Sequence, residues 1–174
     1  MGSALRDCFY NNMQKLYLRK IQKADIRYFA KRWRDKELLR LTSGIFDPIL
    51  DDEVEKYFLT MRKSLKDFHY VILIGGRVVE HISLMKRKTN KYETQIVIGE
   101  KEYRGKGYGT KAIRRLIAIA KRRRIFNIYL EVRPTNLHAI SAYENAGFSK
   151  LKTKKYPDNT YLKEVLQMEL KIAT

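Results

Sequence analysis

Between Tyr92 and Val132 the chain reads as strand, glycine turn, amphipathic helix and strand, and this succession constrains the fold more than any other stretch. The strand-like "YETQIVIG" leads through three residues into "YRGKGYGTKAIRRLIAIAKRRR", and "IFNIYLEV" follows. Within the middle segment Ile113, Leu116, Ile117 and Ala120 recur at i, i+3, i+4 and i+7, the stripe of a core-facing helix. A helix with one apolar stripe, set between two strands, needs a sheet to pack against, which makes the chain α/β. Gly105, Gly107 and Gly109 fall between strand and helix, where the first amides of the helix lack partners and its dipole is positive. Without Cβ atoms these glycines let an anion approach the backbone. From Tyr103 to Arg124 there is no carboxylate, and Arg104, Lys106 and Lys111 add formal positive charge. A pyrophosphate suits such an entrance. A flexible turn feeding a basic, solvated helix is the alternative for the glycines taken alone.

The rest of the chain fits around this unit. "KLYLRKI" alternates Leu16, Leu18 and Ile21 with polar residues, a first strand. "KADIRYFAKRWRDKELLRL" predicts a helix with Ile26, Phe29, Ala30 and Trp33 at helical spacing and Asp25 near its start. "SGIFDP" is a loop, and "ILDDEVEKYFLTMRKSL" a second helix with Val54, Tyr57, Phe58 and Met61 on one face. "FHYVILIGGRVVEHISLMKR" is two strands joined at Gly75-Gly76, a hairpin signal. "NLHAISAYENAG" is a helix with Asn136 as N-cap and Gly147 as its stop. "YLKEVLQMELKI" is a last strand with Leu162, Leu166, Met168 and Leu170 on one face. The expected order is β-α-α-β-β-β-α-β-α-β around a mixed sheet. Residues 1–12 read as a leader or expression remnant and 13–174 as one domain, a size that buries a real core.

Composition narrows the partners. The chain has 37 Lys+Arg against 19 Asp+Glu, a formal charge of +18, which favours anionic partners: a phosphate-bearing cofactor, nucleic acid, an anionic membrane, or a ribosome. The single cysteine, Cys8, excludes an intrachain disulfide and a thiolate metal cluster and points to a reducing, cytoplasmic setting. His69, His81 and His138 lack metal-ligand spacing, so no metal is expected. The apolar runs, such as "VILIGG", are too short to span a bilayer.

Two familiar phosphate motifs fail on spacing. A P-loop needs GxxxxGK[ST], and a dinucleotide fingerprint needs GxGxxG. Here the order is RxxGxG, Arg104 to Gly109, and "NLHAISAYENAGF", Asn136 to Phe148, matches NxxAxxxYxxxGF at every fixed position. The pair resembles the acetyl-CoA-binding core of the GNAT superfamily of N-acetyltransferases, over about Tyr92 to Leu170. "YLEVRPTN" and "KKYPDN…LQMEL" are similar to ribosomal-protein alanine N-acetyltransferases. "IVIGEKEYRGKGYGTKA" and "WRDKE" are similar to relatives that acetylate other ribosomal-protein N-termini and to polyamine acetyltransferases.

The resemblance implies a single GNAT-like domain, a mostly antiparallel sheet splayed at the acetyl-CoA site and flanked by helices. It places the pyrophosphate of coenzyme A on the amides of Gly105, Lys106, Gly107, Tyr108, Gly109 and Thr110, beside Arg104, with Asn136 and Tyr143 also on the cofactor. The strand Val97, Ile98, Gly99 would splay from its neighbour, pair with the pantetheine arm and offer an N–H to the oxyanion. Acetyl transfer also needs a neutral amine and a proton for the departing thiolate. Tyr143 is the implied acid, with core packing as its other reading. Glu131 matches the base of the alanine-acetylating relatives, on the strand face opposite Leu130 and Val132. A strand-end ion pair is its other reading, and Glu93, Glu80, His81 or a water relay are rivals.

The acceptor side is implied to come from the first two helices and late loops: Trp33, Asp35, Glu37, Asp47, Asp51 to Glu53, Glu55 and Tyr156. An α-amine, with a pKa near 8, needs less base help than a lysine-type amine near 10.4. The expected acceptor is therefore a protein N-terminal amine, with a small-molecule amine (polyamine, amino sugar or antibiotic) as the alternative. A nucleic-acid-binding protein that keeps the fold without catalysis is the alternative from another class, supported by "KRRR" and "KLKTKK". The protein would work as a monomer or homodimer.

Overall fold

The computed structural model describes residues 14–36, 39, 49–87, 91–97, 101–103, 105–159 and 162–173. The leader and, of the site residues, Ile98, Gly99, Arg104, Glu37 and Asp47 lie outside the described residues. The strands are β1 (Leu16–Lys20), β2 (Phe68–Ile74), β3 (Arg77–Lys86), β4 (Tyr92–Val97), β5 (Asn127–Val132), β6 (Ser149–Lys155) and β7 (Glu164–Lys171). The described helices are α1 (Ile26–Trp33), α2 (Asp51–Lys63), α3 (Tyr108–Arg122) and α4 (Leu137–Glu144). The strands form one sheet in the order β1-β2-β3-β4-β5-β7-β6. Only β4 and β5 are parallel; every other neighbouring pair is antiparallel. The expected mixed, mostly antiparallel sheet is present.

Strand alternation gives the sheet two apolar faces. On one, α3 and α4 cover Ile72, Ile82, Leu84, Ile128, Leu130 and Met168. Ile113, Leu116 and Ala120 of α3 are all buried there, as their spacing predicts. On the other face Val71 packs with Ile21, Phe29 and Phe58 beneath α1 and α2. Phe29 meets Phe58 edge-on at 5.1 Å between centroids. Phe58 is fully buried, and its truncation to alanine would cost about 3–5 kcal/mol. The β2–β3 hairpin turns at Gly75 and Gly76, with φ of 56° and 83°, the left-handed pair that a two-residue turn demands.

Two expectations change. The first helix begins as a 3-10 turn, Lys23–Asp25, before α1. Asp25 there accepts the Gln22 N–H at 2.7 Å and holds Arg19 at 2.8 Å. The sheet also gains an unforeseen strand, β6, "SKLKTKK", at its edge beside β7. All seven of its residues are exposed, so it carries no apolar alternation for a sequence reading to detect.

Candidate active site

The site begins where the sheet opens. β4 and β5 pair only at Tyr92↔Ile128 and Glu93↔Tyr129. β4 nevertheless stays bonded to β3 as far as His81↔Val97, and β5 to β7 as far as Val132↔Leu166. The seam between two intact half-sheets therefore widens past Glu93 and Tyr129, and the register leaves the facing backbone of Thr94–Val97 without a strand partner. Backbone amides and carbonyls need partners, so a fork of this kind suits an extended ligand with amides of its own. Thr94, the first residue beyond the last pair, is 3% exposed, and its Oγ1 is buried without a hydrogen-bond partner.

At the same end of the sheet α3 starts. Gly105 and Gly107 have φ of 72° and 76°, the left-handed region, and Gly107 is the N-cap. A Cβ at either position would meet nothing within 4 Å, so the space over the turn is open. The first helical bond runs from the Lys111 N–H to the Gly107 carbonyl, 3.1 Å. The amides of Tyr108, Gly109 and Thr110 thus precede any intrahelical acceptor, and the first turn carries no acid. The side chains here hold the frame. The Tyr108 hydroxyl accepts the Gln14 N–H at 3.1 Å, and the Thr110 hydroxyl donates to the Ala142 carbonyl of α4 at 3.4 Å. Lys106 is exposed. The cradle is made of backbone, and the residues present fit a pyrophosphate.

α4 supplies the second motif. Asn136 caps it: its Oδ1 accepts the Ala139 N–H at 3.2 Å, a structural use that leaves the amide nitrogen for other contacts. Tyr143 is buried, edge-on to Phe148 at 5.9 Å. Burial raises its phenol pKa well above the ordinary value, so the group keeps its proton at neutral pH.

On the opposite face three carboxylates lie along β3, β4 and β5, each with partners. Glu131 is on β5 across from Leu130 and Val132, as expected. Its Oε2 accepts the Tyr156 hydroxyl at 2.6 Å and its Oε1 lies 3.3 Å from Lys154 Nζ. Burial and the bond to Glu131 raise the Tyr156 phenol. Glu93 is gripped by Arg87 at 2.6 Å and receives the Tyr129 hydroxyl at 3.4 Å. Glu80 accepts the His81 N–H at 2.7 Å and lies 3.5 Å from Arg32.

Beneath α1 lies a polar chain that sequence reasoning did not assemble. Arg32 Nη1 is 3.1 Å from His81 Nδ1, and His81 Nε2 is 3.1 Å from His69 Nδ1. Arginine only donates, so His81 Nδ1 accepts, its proton sits on Nε2, and that proton points at His69. The chain admits only neutral rings. Burial lowers both imidazoles, His81 well below its ordinary value with Arg32 and His69 adding to the effect. The hairpin at Gly75-Gly76 was the available signal, because it sets strands carrying His69 and His81 side by side.

The acids of α2 implied for the acceptor side are partly occupied by local duties. Asp51 is ion-paired with Arg34, and Glu53 accepts the Leu50 N–H at 3.0 Å, closing the helix start. Among the described residues no group of three or more His, Cys, Asp or Glu is placed to hold a metal ion. No described helix is long and apolar enough to cross a membrane.

The model of the acetyltransferase (GNAT) family matches residues 28–148. This chain belongs to the GNAT family. A curated relative, the uncharacterized N-acetyltransferase YobR of Bacillus subtilis (strain 168), is 41% identical over 63 residues. That match covers 36% of this chain and only 25% of the relative's length. Among solved structures, spermidine N-acetyltransferase from Vibrio cholerae in complex with CoA and spermine superposes with a TM-score of 0.78 at 20% identity. It covers 90% of this chain and 95% of that one. An aminoglycoside acetyltransferase in complex with coenzyme A and kanamycin gives 0.74 at 19% identity, with coverage of 90% and 95%. At such identities the likeness is one of fold.

Proposed function

We propose that this GNAT-family chain transfers an acetyl group from acetyl-CoA to the α-amine of a protein N-terminus. The observation that carries the acetyl-CoA reading is the fork beyond Glu93 and Tyr129, opening beside the acid-free start of α3. Acetyl-CoA supplies the activated acyl group; the chain's residues bind and orient it and move protons. Amides from Gly105 to Thr110 hold the pyrophosphate. The exposed backbone edge of β4 would take the pantetheine amides, and the backbone at Val97, where β4 ends, would offer an N–H to the oxyanion. Tyr143, kept protonated by burial, donates to the leaving thiolate. Glu131, oriented by Tyr156 and Lys154, takes the proton from the amine.

Charge compensation supports a singly charged acceptor. Glu131, Glu93 and Asp51 each already have a cationic partner. A polyamine would have to displace several of these cations to gain its usual attraction, whereas an α-amine near pKa 8 needs only the Glu131 carboxylate, as base. A small-molecule amine is the second reading, supported by the relatives solved with spermine and kanamycin. Thiol release from acetyl-CoA should be followed with peptides bearing free or blocked N-termini, spermidine and kanamycin. Turnover with free-N-terminal peptides alone is the expected result. Turnover with spermidine or kanamycin and none with peptides would replace the acceptor, and silence with all would remove the activity.

A further inference from the structure

The topology gathers one sign of charge at the end of the molecule opposite the fork. β2, β4 and β5 start there, β3 and β7 end there, and α3 delivers its last turn there. Lys66, Lys86, Lys91, Lys121, Arg122 and Arg124 are all exposed at this end. The acids among its described residues are engaged. Glu93 is held by Arg87 and Glu169 by Lys171, while Asp67 accepts the Lys86 N–H at 2.8 Å. Arg123 lies over the Phe68 ring at 4.1 Å, and Phe68 stacks on Tyr92, so the base of the cluster is fixed rather than loose.

We propose that this basic pole binds nucleic acid through its phosphate backbone, independently of the acetyl-transfer site. The cluster offers repeated cations, two of the six being guanidiniums suited to bidentate phosphate contacts. A protein partner would call for an apolar centre, and among the described residues Leu65 is the large aliphatic side chain exposed beside this cluster. A lone leucine is worth about 1.5–3 kcal/mol on burial, too little to anchor a membrane contact. The helix dipole of α3 accounts for cations in its last turn, but not for Lys66, Lys86 and Lys91 on other elements. α3 has 15 residues, which at 1.5 Å each puts the pole about 22 Å from the cradle at its other end. Both sites can therefore be filled together. The inference does not depend on the identity of the acceptor.

The test uses the full chain and a labelled 20-nucleotide single-stranded RNA of mixed sequence, read by fluorescence anisotropy over a salt series with and without saturating coenzyme A. The companion variant carries Lys86→Gln, Lys91→Gln, Arg122→Gln and Arg124→Gln, with thermal melting to verify its fold. Wild-type binding should be indifferent to coenzyme A and should differ only a few-fold between RNA sequences or for DNA of equal length. The variant should bind at least tenfold more weakly at low salt, with a log–log salt slope shallower by roughly 3, at ~0.7 per lost phosphate contact. Equal binding by a folded variant, or competition by coenzyme A, would overturn the proposal. So would binding to phosphatidylglycerol vesicles with none to RNA. The acetyl-transfer reading is judged separately, by thiol release from the wild-type chain.

Discussion

Replacing Gly107 separates the two things a glycine does at the cradle. Its φ of 76° lies where an L-residue pays about 1–2 kcal/mol, while an added Cβ would find no atom within 4 Å. Gly107→Ala should therefore destabilise the free chain only through backbone strain. For a chain of this size that is roughly 2–8 °C in melting temperature. The same Cβ projects into the open space assigned to the pyrophosphate, so coenzyme A affinity should fall at least tenfold, about 1.4 kcal/mol. Gly107→Asn sharpens the comparison, because asparagine tolerates the left-handed region better and keeps the steric block. Gly76 is the internal control: its φ is 83°, its Cβ also meets nothing, and it lies in the β2–β3 turn outside the cradle. Gly76→Ala should show the melting shift with unchanged affinity. Calorimetric titration with coenzyme A and thermal melting of the four proteins decide the matter. If folded Gly107→Asn binds coenzyme A like wild type, the anion is not held on this turn.

Three further outcomes follow from the site. Tyr143→Phe should keep coenzyme A affinity within a few-fold and lower kcat by about 10² to 10⁴, the range of one proton-transfer group; unchanged kcat at saturation would leave Tyr143 as packing beside Phe148. Glu131→Gln should lower kcat/KM by a similar factor of about 10² or more, and Tyr156→Phe, which only loosens the carboxylate, by a smaller one; equal, small losses would make the trio of Glu131, Tyr156 and Lys154 a structural clasp. The His69–His81 pair predicts a pH effect on stability of definite sign. Folded-state burial lowers both pKa values, so as pH falls below the unfolded value near 6.5 the unfolded chain takes up protons first. Stability should drop with acidification from pH 7 to pH 5, and melting of a His81→Gln variant over that range should be flatter; an equal slope would mean that other groups carry it.

What the sequence disclosed was periodic or conformational. The α3 stripe, the Gly75-Gly76 turn and the Asn136 cap each have a local cause that a short window contains. β6 was hidden because an exposed edge strand has no buried face, and "SKLKTKK" alternates lysine with residues that are equally wet. Its absence from the sequence reading concealed a functional detail as well: Lys154, from that strand, is what meets Glu131. Long-range pairings were hidden for the same reason. Arg32, His69 and His81 are joined by the packing of α1 on a hairpin, and no local pattern encodes that packing.

The fork is the deeper case. β4 and β5 are ordinary strands by composition, and nothing in "YETQIV" or "NIYLEV" marks where their pairing stops. Each is held by its outer neighbour for its whole length, so the opening costs no more than the hydrogen bonds of one half-seam. Those bonds are the ones a ligand with extended amides can restore. The side chains that border the site are mostly engaged elsewhere: Tyr108 with Gln14, Thr110 with Ala142, Asn136 with its own helix. Under the proposed placement, recognition of the cofactor falls to main-chain groups, which depend on glycine conformation and strand register more than on side-chain identity. At 20% identity the chain shares with spermidine N-acetyltransferase its fold. On the far face the pairing of Glu131 with Lys154 and of Glu93 with Arg87 sets this chain's own electrostatics.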